Sequence, residues 1–476
     1  MNAAGQVAEF TSNGRSRSDM RRRIAIGVLG TGLTIVAVAA PGDASFSSRV
    51  VIATFGWAVV LWLLAKIKDL YVAIGAATVV FVAVGLPFAT LLHVATNGTT
   101  ITIVAAFVIA AAVRRVRLTE YLIGRITSKP HSASNAINRV AGATAASVLI
   151  IPATSARAAL TLPVVESMAT GASAQFSKAI KIVVPVVVLT SAGASLLGAG
   201  AHIIAVEFLQ QSAGASVNFV QWIAWCAPYA LVATLLSVIL IKSRYLPKSE
   251  RSRLLEPASP VVSEVLTRKQ IGVSVVLVLV IAGWIGASLT GIDIAIPTVI
   301  ATVALMIPPI AAITPAQAVR AVPWELVAFL CASLVLAEIF VASGSACYVV
   351  GPLIGGCQAF AQTPWLVVVL VIVISMFAHL IIHSRSARSA VLVPLVLPLA
   401  TVTGLNPVSL VLASTLAAGY CLTLPVCAKP LLMYCQDDAF DRGDLLRLSA
   451  WLLPMNAILL SLTAIFLWPL MGLPIK

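Results

Sequence analysis

Residues Ser155-Ala156-Arg157-Ala158-Ala159-Leu160-Thr161-Leu162-Pro163 return as Ser386-Ala387-Arg388-Ser389-Ala390-Val391-Leu392-Val393-Pro394. Five positions are identical, and the two prolines stand 394 − 163 = 231 residues apart in a chain of 476. Each copy sets an arginine in sequence otherwise apolar enough for a bilayer. A chain doubled in this way, with a charge at the same point of each copy, folds as two related halves that build a site near the membrane midplane.

The remaining sequence fits that solvent. Hydrophobic residues make up 60% and charged residues 10% of the chain, whereas soluble domains carry about 25% charged residues. Apolar runs of helical length exclude an outer-membrane barrel, whose strands alternate. The expected class is an all-α polytopic membrane protein of two inverted repeats, with about 11 transmembrane helices. Met1–Met20 is polar and lacks a cleavage pattern, so the first apolar run is expected to be retained. The formal charge of +14 does not imply a nucleic-acid partner, because the basic residues concentrate between apolar runs. Arg21, Arg22 and Arg23, then Lys66 and Lys68, then Arg114, Arg115 and Arg117 follow alternate crossings. That pattern predicts a multi-pass protein of the cytoplasmic (inner) membrane with its N-terminus in the cytoplasm. The seven cysteines show no metal-ligand spacing and are expected as buried thiols, with Cys347 and Cys357 the one pair that a periplasmic position could join.

The expected organisation is a cytoplasmic segment (1–22), a first half (23–242), a cytoplasmic linker (243–269) and a second half (270–476). In the first half a surface helix (114–129) leads to a re-entrant hairpin (130–170) broken at Pro152-Ala153-Thr154-Ser155. An interrupted helix (178–210) follows, opened by the glycine-rich run ending at Gly198-Ala199-Gly200-Ala201-His202. The second half repeats the programme with a hairpin (364–402) broken at His383-Ser384-Arg385-Ser386. Its interrupted helix (406–436) is opened at Pro425-Val426-Cys427-Ala428-Lys429-Pro430. Crossing parity brings the second hairpin in from the opposite side, so the two tips are expected to meet.

A helix that begins at mid-membrane turns free N–H groups and the positive end of its dipole toward the tip. Ser155 and Ser386 sit where capping hydroxyls are expected, and Arg157 and Arg388 fall in the first turns beyond. Two fixed charges, hydroxyls and amides converging from opposite sides make an anion site. The alternative is structural pairing of the arginines with Glu166, Glu207 or Glu338. His202 and Lys429 add conditional positive charge at the two breaks, against plainer roles as a neutral hydrogen-bonding histidine and a snorkelling lysine. Asp437-Asp438-Ala439-Phe440-Asp441 matches an aspartate-rich magnesium-diphosphate motif of prenyl-transferring enzymes, but a single copy in a polar connector is expected to be a solvated loop.

At the two repeats the chain resembles the divalent anion/sodium symporter family, which includes bacterial dicarboxylate and citrate carriers. Family members carry Ser-Asn-Thr at each tip; here the matching five-residue stretches are Ala153-Thr154-Ser155-Ala156-Arg157 and Ser384-Arg385-Ser386-Ala387-Arg388. The family's two helix breaks align with Gly198–His202 and with Leu424–Leu431. Similarity extends to Trp57–Trp62 and to the final Leu452-Leu453-Pro454-Met455-Asn456. The resemblance implies a secondary transporter of small anions, dicarboxylates first and sulfate or sulfonates next. It also implies a homodimer whose transport domain slides against a scaffold. Substrate-binding candidates carried over or read from charge are Thr154, Ser155, Arg157, Ser384, Arg385, Ser386, Arg388, His202 and Lys429, with backbone at Gly198, Gly200, Pro425 and Cys427. Sodium is the family's coupling ion, held partly by the tip asparagines. Both are absent here and arginine stands nearby, so sodium-independent exchange or proton-linked uptake is expected, with no cofactor or metal.

Overall fold

The computed structural model describes residue 20 and residues 24–476 apart from 36, 40–44, 66, 119–120, 122–124, 126–130, 150, 152, 256–265, 309, 346–347, 349–362 and 436–439. Helices begin mostly where the sequence supplies a side-chain oxygen for the orphan N–H groups. Ser45 caps α2 (Phe46–Leu64), and Asn97 caps α5 (Gly98–Arg115), after α1 (Ile24–Ile35), α3 (Asp69–Val84) and α4 (Phe88–Thr96). Ser132 caps α6 (Ala133–Ala146), the first arm of the first hairpin, and α7 (Thr154–Ala169) is its return arm. Ser173 caps α8 (Ala174–Thr190), which resumes after the break as α9 (Gly200–Ala213). Asn218 caps α10 (Phe219–Tyr245).

The second half opens with α11 (Arg268–Thr290), α12 (Ala295–Ala304), α13 (Pro315–Ala321) and α14 (Trp324–Ala342). Its hairpin consists of α15 (Pro364–Phe377) and α16 (Arg385–Thr403). The interrupted helix is α17 (Pro407–Ala418) with α18 (Lys429–Tyr434), and α19 (Arg442–Leu462) begins the last crossing. Among the described residues, six helices are long and apolar enough to cross a membrane, or seven if the bent pair α13 and α14 counts as one. Of the shorter apolar helices, Pro364–Leu380 and Pro407–Ala418 belong to the second hairpin and interrupted helix, whereas Ile24–Ile35, Phe46–Trp62, Asp69–Val84 and Ala295–Ala304 precede them. Most of the expected surface helix lies outside the described residues. The linker is less open than a free loop: Leu254–Leu255 pairs antiparallel with His131–Ser132, the one departure from an all-helical chain among the described residues.

The repeat is structural as well as sequential. The first arms α6 and α15 are both 14 residues long and start 364 − 133 = 231 residues apart. Each ends in a three-residue 3-10 turn, Ser147–Leu149 and Ala378–Leu380. The breaks agree torsion by torsion. Ser195 (φ −132°, ψ 140°) and Leu424 (φ −133°, ψ 146°) each enter a three-residue turn, Leu196–Gly198 or Pro425–Cys427. Ala199 (φ −155°, ψ 146°) and Ala428 (φ −150°, ψ 131°) then start the second segments. Glycine is required at 198, where a Cβ would stand 2.1 Å from the Ala192 carbonyl oxygen.

The halves clasp each other. α9 packs on α16, the return arm of the other half's hairpin, and α18 packs reciprocally on α7. Tyr434 Oη seals the second contact by donating to the Ala158 carbonyl at 3.1 Å. Both hairpin tips are thereby held at the centre of the molecule.

Candidate anion site

The tips carry three guanidinium groups, Arg385 acting electrostatically on both Arg157 and Arg388, and their surroundings differ. Arg157 is fully buried. Its Nε donates to Ser147 Oγ (3.0 Å), Nη1 to the Val188 carbonyl (3.2 Å), and Nη2 to the Thr144 carbonyl (2.6 Å) and Ser191 Oγ (2.7 Å). It therefore clamps α6, α7 and α8 together from behind the cavity wall. Arg388 is equally buried, but only its Nη1 has an oxygen partner, the Tyr420 carbonyl at 2.9 Å. Its Nε and Nη2 have none among the described residues. The repeat explains the difference. Ser147 has Ala378 as its counterpart (378 − 147 = 231), so the hydroxyl that would receive Arg388 Nε is missing.

Arg385 is the cation that reaches the cavity. That cavity is small, about 30 Å³ in volume, and partly open. Both helix breaks line it through Ala192, Gly193 and Gly419, and Thr190, His202, Tyr229, Tyr420 and Asn456 supply its other polar groups. Arg385 Nη2 donates to Thr154 Oγ1, while its Nη1 is buried with no partner among the described residues. Among the described residues no carboxylate lies within 4.0 Å of any of the three guanidinium groups. Glu207, offered by the sequence as a partner, accepts from Asn97 Nδ2 (2.8 Å), Thr99 Oγ1 and Gln211 Nε2 (3.0 Å) instead.

Several expectations need correction. Arg157 and Arg388 do not face each other across open space, because neither lines the cavity. Ser155 and Ser386 are not the caps. α7 starts after Ala153 with no side-chain cap, and α16 after Ser384, whose Oγ accepts from the Ala387 N–H at 3.3 Å. Ser386 lies beside Gly200, where a Cβ would come within 3.7 Å of its Oγ. Lys429 is exposed and acts electrostatically on Glu325, away from the cavity. Pro425 and Cys427 form the second break's turn, with Cys427 Sγ against the His379 carbonyl at 3.7 Å. His202 does line the cavity. Its Nδ1 lies 3.1 Å from the Ser195 carbonyl, and its ring stacks on Trp222 at 4.9 Å.

Tyr229, Tyr420 and Asn456 were not singled out by charge or repeat, being neutral. Tyr229 Oη donates to Asn456 Oδ1 at 3.2 Å. The signal for Asn456 was present in the resemblance of the final helix. The tyrosines carried none beyond their place beside the breaks.

α7 and α9 begin at Ala153 and Ala199 with no side-chain cap, so their first N–H groups remain available at the centre. Inverted hairpins, opened helices and uncompensated buried cations define a membrane transporter for anions. The chain matches the family described as the sodium:sulfate symporter transmembrane region over residues 21–473, and it belongs to that family. The fold is similar to that of the YdaH transporter of Alcanivorax borkumensis, with a TM-score of 0.59 and 16% identity, covering 81% of this chain and 88% of that one. No curated protein sequence matches significantly. Asp441, the last aspartate of the diphosphate-like motif, caps α19 in a capping box with Asp444; Asp437 and Asp438 lie outside the described residues.

Proposed function

We propose that this protein carries small divalent oxyanions, sulfate or a short dicarboxylate, across the cytoplasmic membrane without sodium. The observation that carries the proposal is the buried Nη1 of Arg385, unpartnered on the wall of a cavity that has no carboxylate among its described lining residues. A guanidinium held in an apolar interior needs a counter-charge, and a dianion supplies it. Arg157 and Arg388 stand close enough to Arg385 to repel it, which deepens the positive field without touching the ligand. The small cavity favours a compact anion over a tricarboxylate. The same field opposes a sodium ion by several kcal/mol at low dielectric.

The hairpins, the interrupted helices, α10 and α19 form the moving body of an elevator, and α2–α5 with α11–α14 the scaffold of a homodimer. The basic residues between crossings orient the N-terminus to the cytoplasm. Uptake of labelled sulfate and succinate into sodium-free proteoliposomes loaded with the same anion tests the proposal. Exchange without sodium, strongly reduced in Arg385→Gln, is the expected result. Strict sodium dependence, or normal exchange in Arg385→Gln, overturns it.

A further inference from the structure

The second repeat carries a string of polar side chains that the first repeat lacks. His379 sits in the 3-10 turn after α15; its counterpart in the first half is Val148 (379 − 148 = 231). Val148 makes an apolar contact with the first break, 2.9 Å from where a Gly198 Cβ would stand. In the second half, His379 Nδ1 lies against the Met376 carbonyl, and its Nε2 is 2.7 Å from Thr423 Oγ1. Thr423 Oγ1 is 2.9 Å from Ser449 Oγ, which is 2.7 Å from Tyr420 Oη. Tyr420 lines the anion cavity, whereas His379, Thr423 and Ser449 line a different pocket against Leu446 and Leu453 of α19. Four side chains thus connect the anion cavity with a separate, more open pocket.

We propose that this string is a proton relay that couples protonation of His379 to anion binding beside Tyr420. The inference rests on the anion-site reading above and narrows its coupling to protons. A carbonyl can only accept, so Nδ1 keeps its proton and Nε2 is the group that changes. Each hydroxyl has one proton to give, so the string has a direction. With His379 neutral, Thr423 donates to Nε2, Ser449 to Thr423 and Tyr420 to Ser449, leaving lone pairs of Tyr420 toward the cavity. When a hydronium ion in the second pocket gives its proton to Thr423 Oγ1, Thr423 passes its own to Nε2, forming the N–H bond and leaving water behind. The string then reverses: Nε2 donates to Thr423, Thr423 to Ser449, and Ser449 to Tyr420. The Tyr420 proton is freed toward the cavity, its one alternative being the Ser449 carbonyl at a long 3.4 Å. An anion meets lone pairs in the first state and a donor in the second.

The groups facing His379 sharpen this linkage. Arg388 on α16 and His383 beyond the turn act on it electrostatically; Cys427 contacts its carbonyl, and the Tyr420 ring meets it edge-on at 5.6 Å. α19 presents Leu446, Ser449, Ala450, Leu453 and Pro454 to this pocket, none of them charged. A proton at His379 is therefore an uncompensated positive charge that an incoming dianion offsets.

The test is sulfate binding to the purified full-length protein without sodium, from about pH 5 to pH 8, the range in which histidine titrates. Sulfate-driven proton entry into dye-loaded proteoliposomes is measured beside it. For the wild type, sulfate affinity should fall as pH rises, by up to about tenfold per unit for one linked proton. His379→Gln and Thr423→Val should flatten that slope and abolish sulfate-driven acidification. Thr423 lies outside the anion cavity, so its variant carries the test if His379→Gln does not fold. A wild-type slope retained in either folded variant, or a pH-independent wild type, overturns the relay. Absence of sulfate binding at every pH overturns the anion site itself, and the relay with it.

Discussion

Arg385 and Thr154 are the same position of the two repeats, 385 − 154 = 231 residues apart, and the guanidinium of one donates to the hydroxyl of the other. Equivalent residues of two inverted halves touch only near the axis that relates them, so the axis runs between the hairpin tips. A matched pair there would be two arginines repelling at contact distance or two neutral threonines. The unequal pair sets one charge on the axis and gives it a hydroxyl to orient against.

Loss of the charge on the axis should remove the ligand's main partner. Arg385→Gln is expected to weaken sulfate binding by about 10- to 100-fold, the scale of a hydrogen bond to a charged group. Arg385→Lys should recover little, since one ammonium cannot hold Thr154 and an oxyanion in a fixed fork. Equilibrium binding to purified variants checks both.

The two buried clamps should differ in stability. Arg157→Gln breaks four hydrogen bonds and strands buried acceptors, so it should cost about 3–5 kcal/mol and lower the melting temperature sharply. Arg388→Gln breaks one and removes two unpartnered donors, so its effect should be within about 1 kcal/mol. Ala378→Ser should restore the missing acceptor and stabilise by about 1 kcal/mol. Melting curves in detergent compare the three.

Gly198→Ala should damage the first break, because the new Cβ would lie 2.1 Å from a backbone oxygen that cannot swing away. Overpacking of this kind costs about 1–3 kcal/mol or more. Gly200→Ala, with 3.7 Å to its nearest neighbour, should be tolerated, so the pair of melting temperatures separates steric need from helix propensity.

Glu207 of α9 is bound to Asn97 and Thr99 at the start of α5. This contact joins the proposed moving body to the proposed scaffold. Glu207→Ala should cost about 1–3 kcal/mol of stability and change the initial rate of anion exchange. An unchanged rate in a folded variant would mean that the contact does not move in the cycle.

The Asp441 carboxyl is held below its ordinary range, chiefly by the Asp444 N–H that it accepts, with Lys178 assisting. A lowered folded pKa gives stability that is present at neutral pH and lost as acid protonates the cap. Asp441→Asn caps without titrating, so its melting temperature should fall less than the wild type's on acidification.

Much of the architecture was legible because it is local. Serine, threonine, asparagine and aspartate mark helix starts, and glycine runs or prolines mark the breaks. The 231-residue spacing of the two Ser-Ala-Arg copies recurs in the helices, whose arms start at Ala133 and Thr154 in one half and at Pro364 and Arg385 in the other. The chemistry of the tips was legible in kind, as positive charge, but not in its assignment. Arg157, Arg385 and Arg388 look alike along the chain, and their roles depend on what lies opposite them.

The sequence by itself determined a doubled, membrane-embedded helical chain with cations at two tips, since hydropathy, capping and repetition act through neighbouring residues. Only the tertiary structure decided which cation meets the cavity. Ser147 and Ser191 satisfy Arg157 from distant turns, Ala378 leaves Arg388 short of an acceptor, and the crossing of the tips brings Arg385 to Thr154. A guanidinium goes where its five donors find acceptors, and those acceptors come from residues far along the chain.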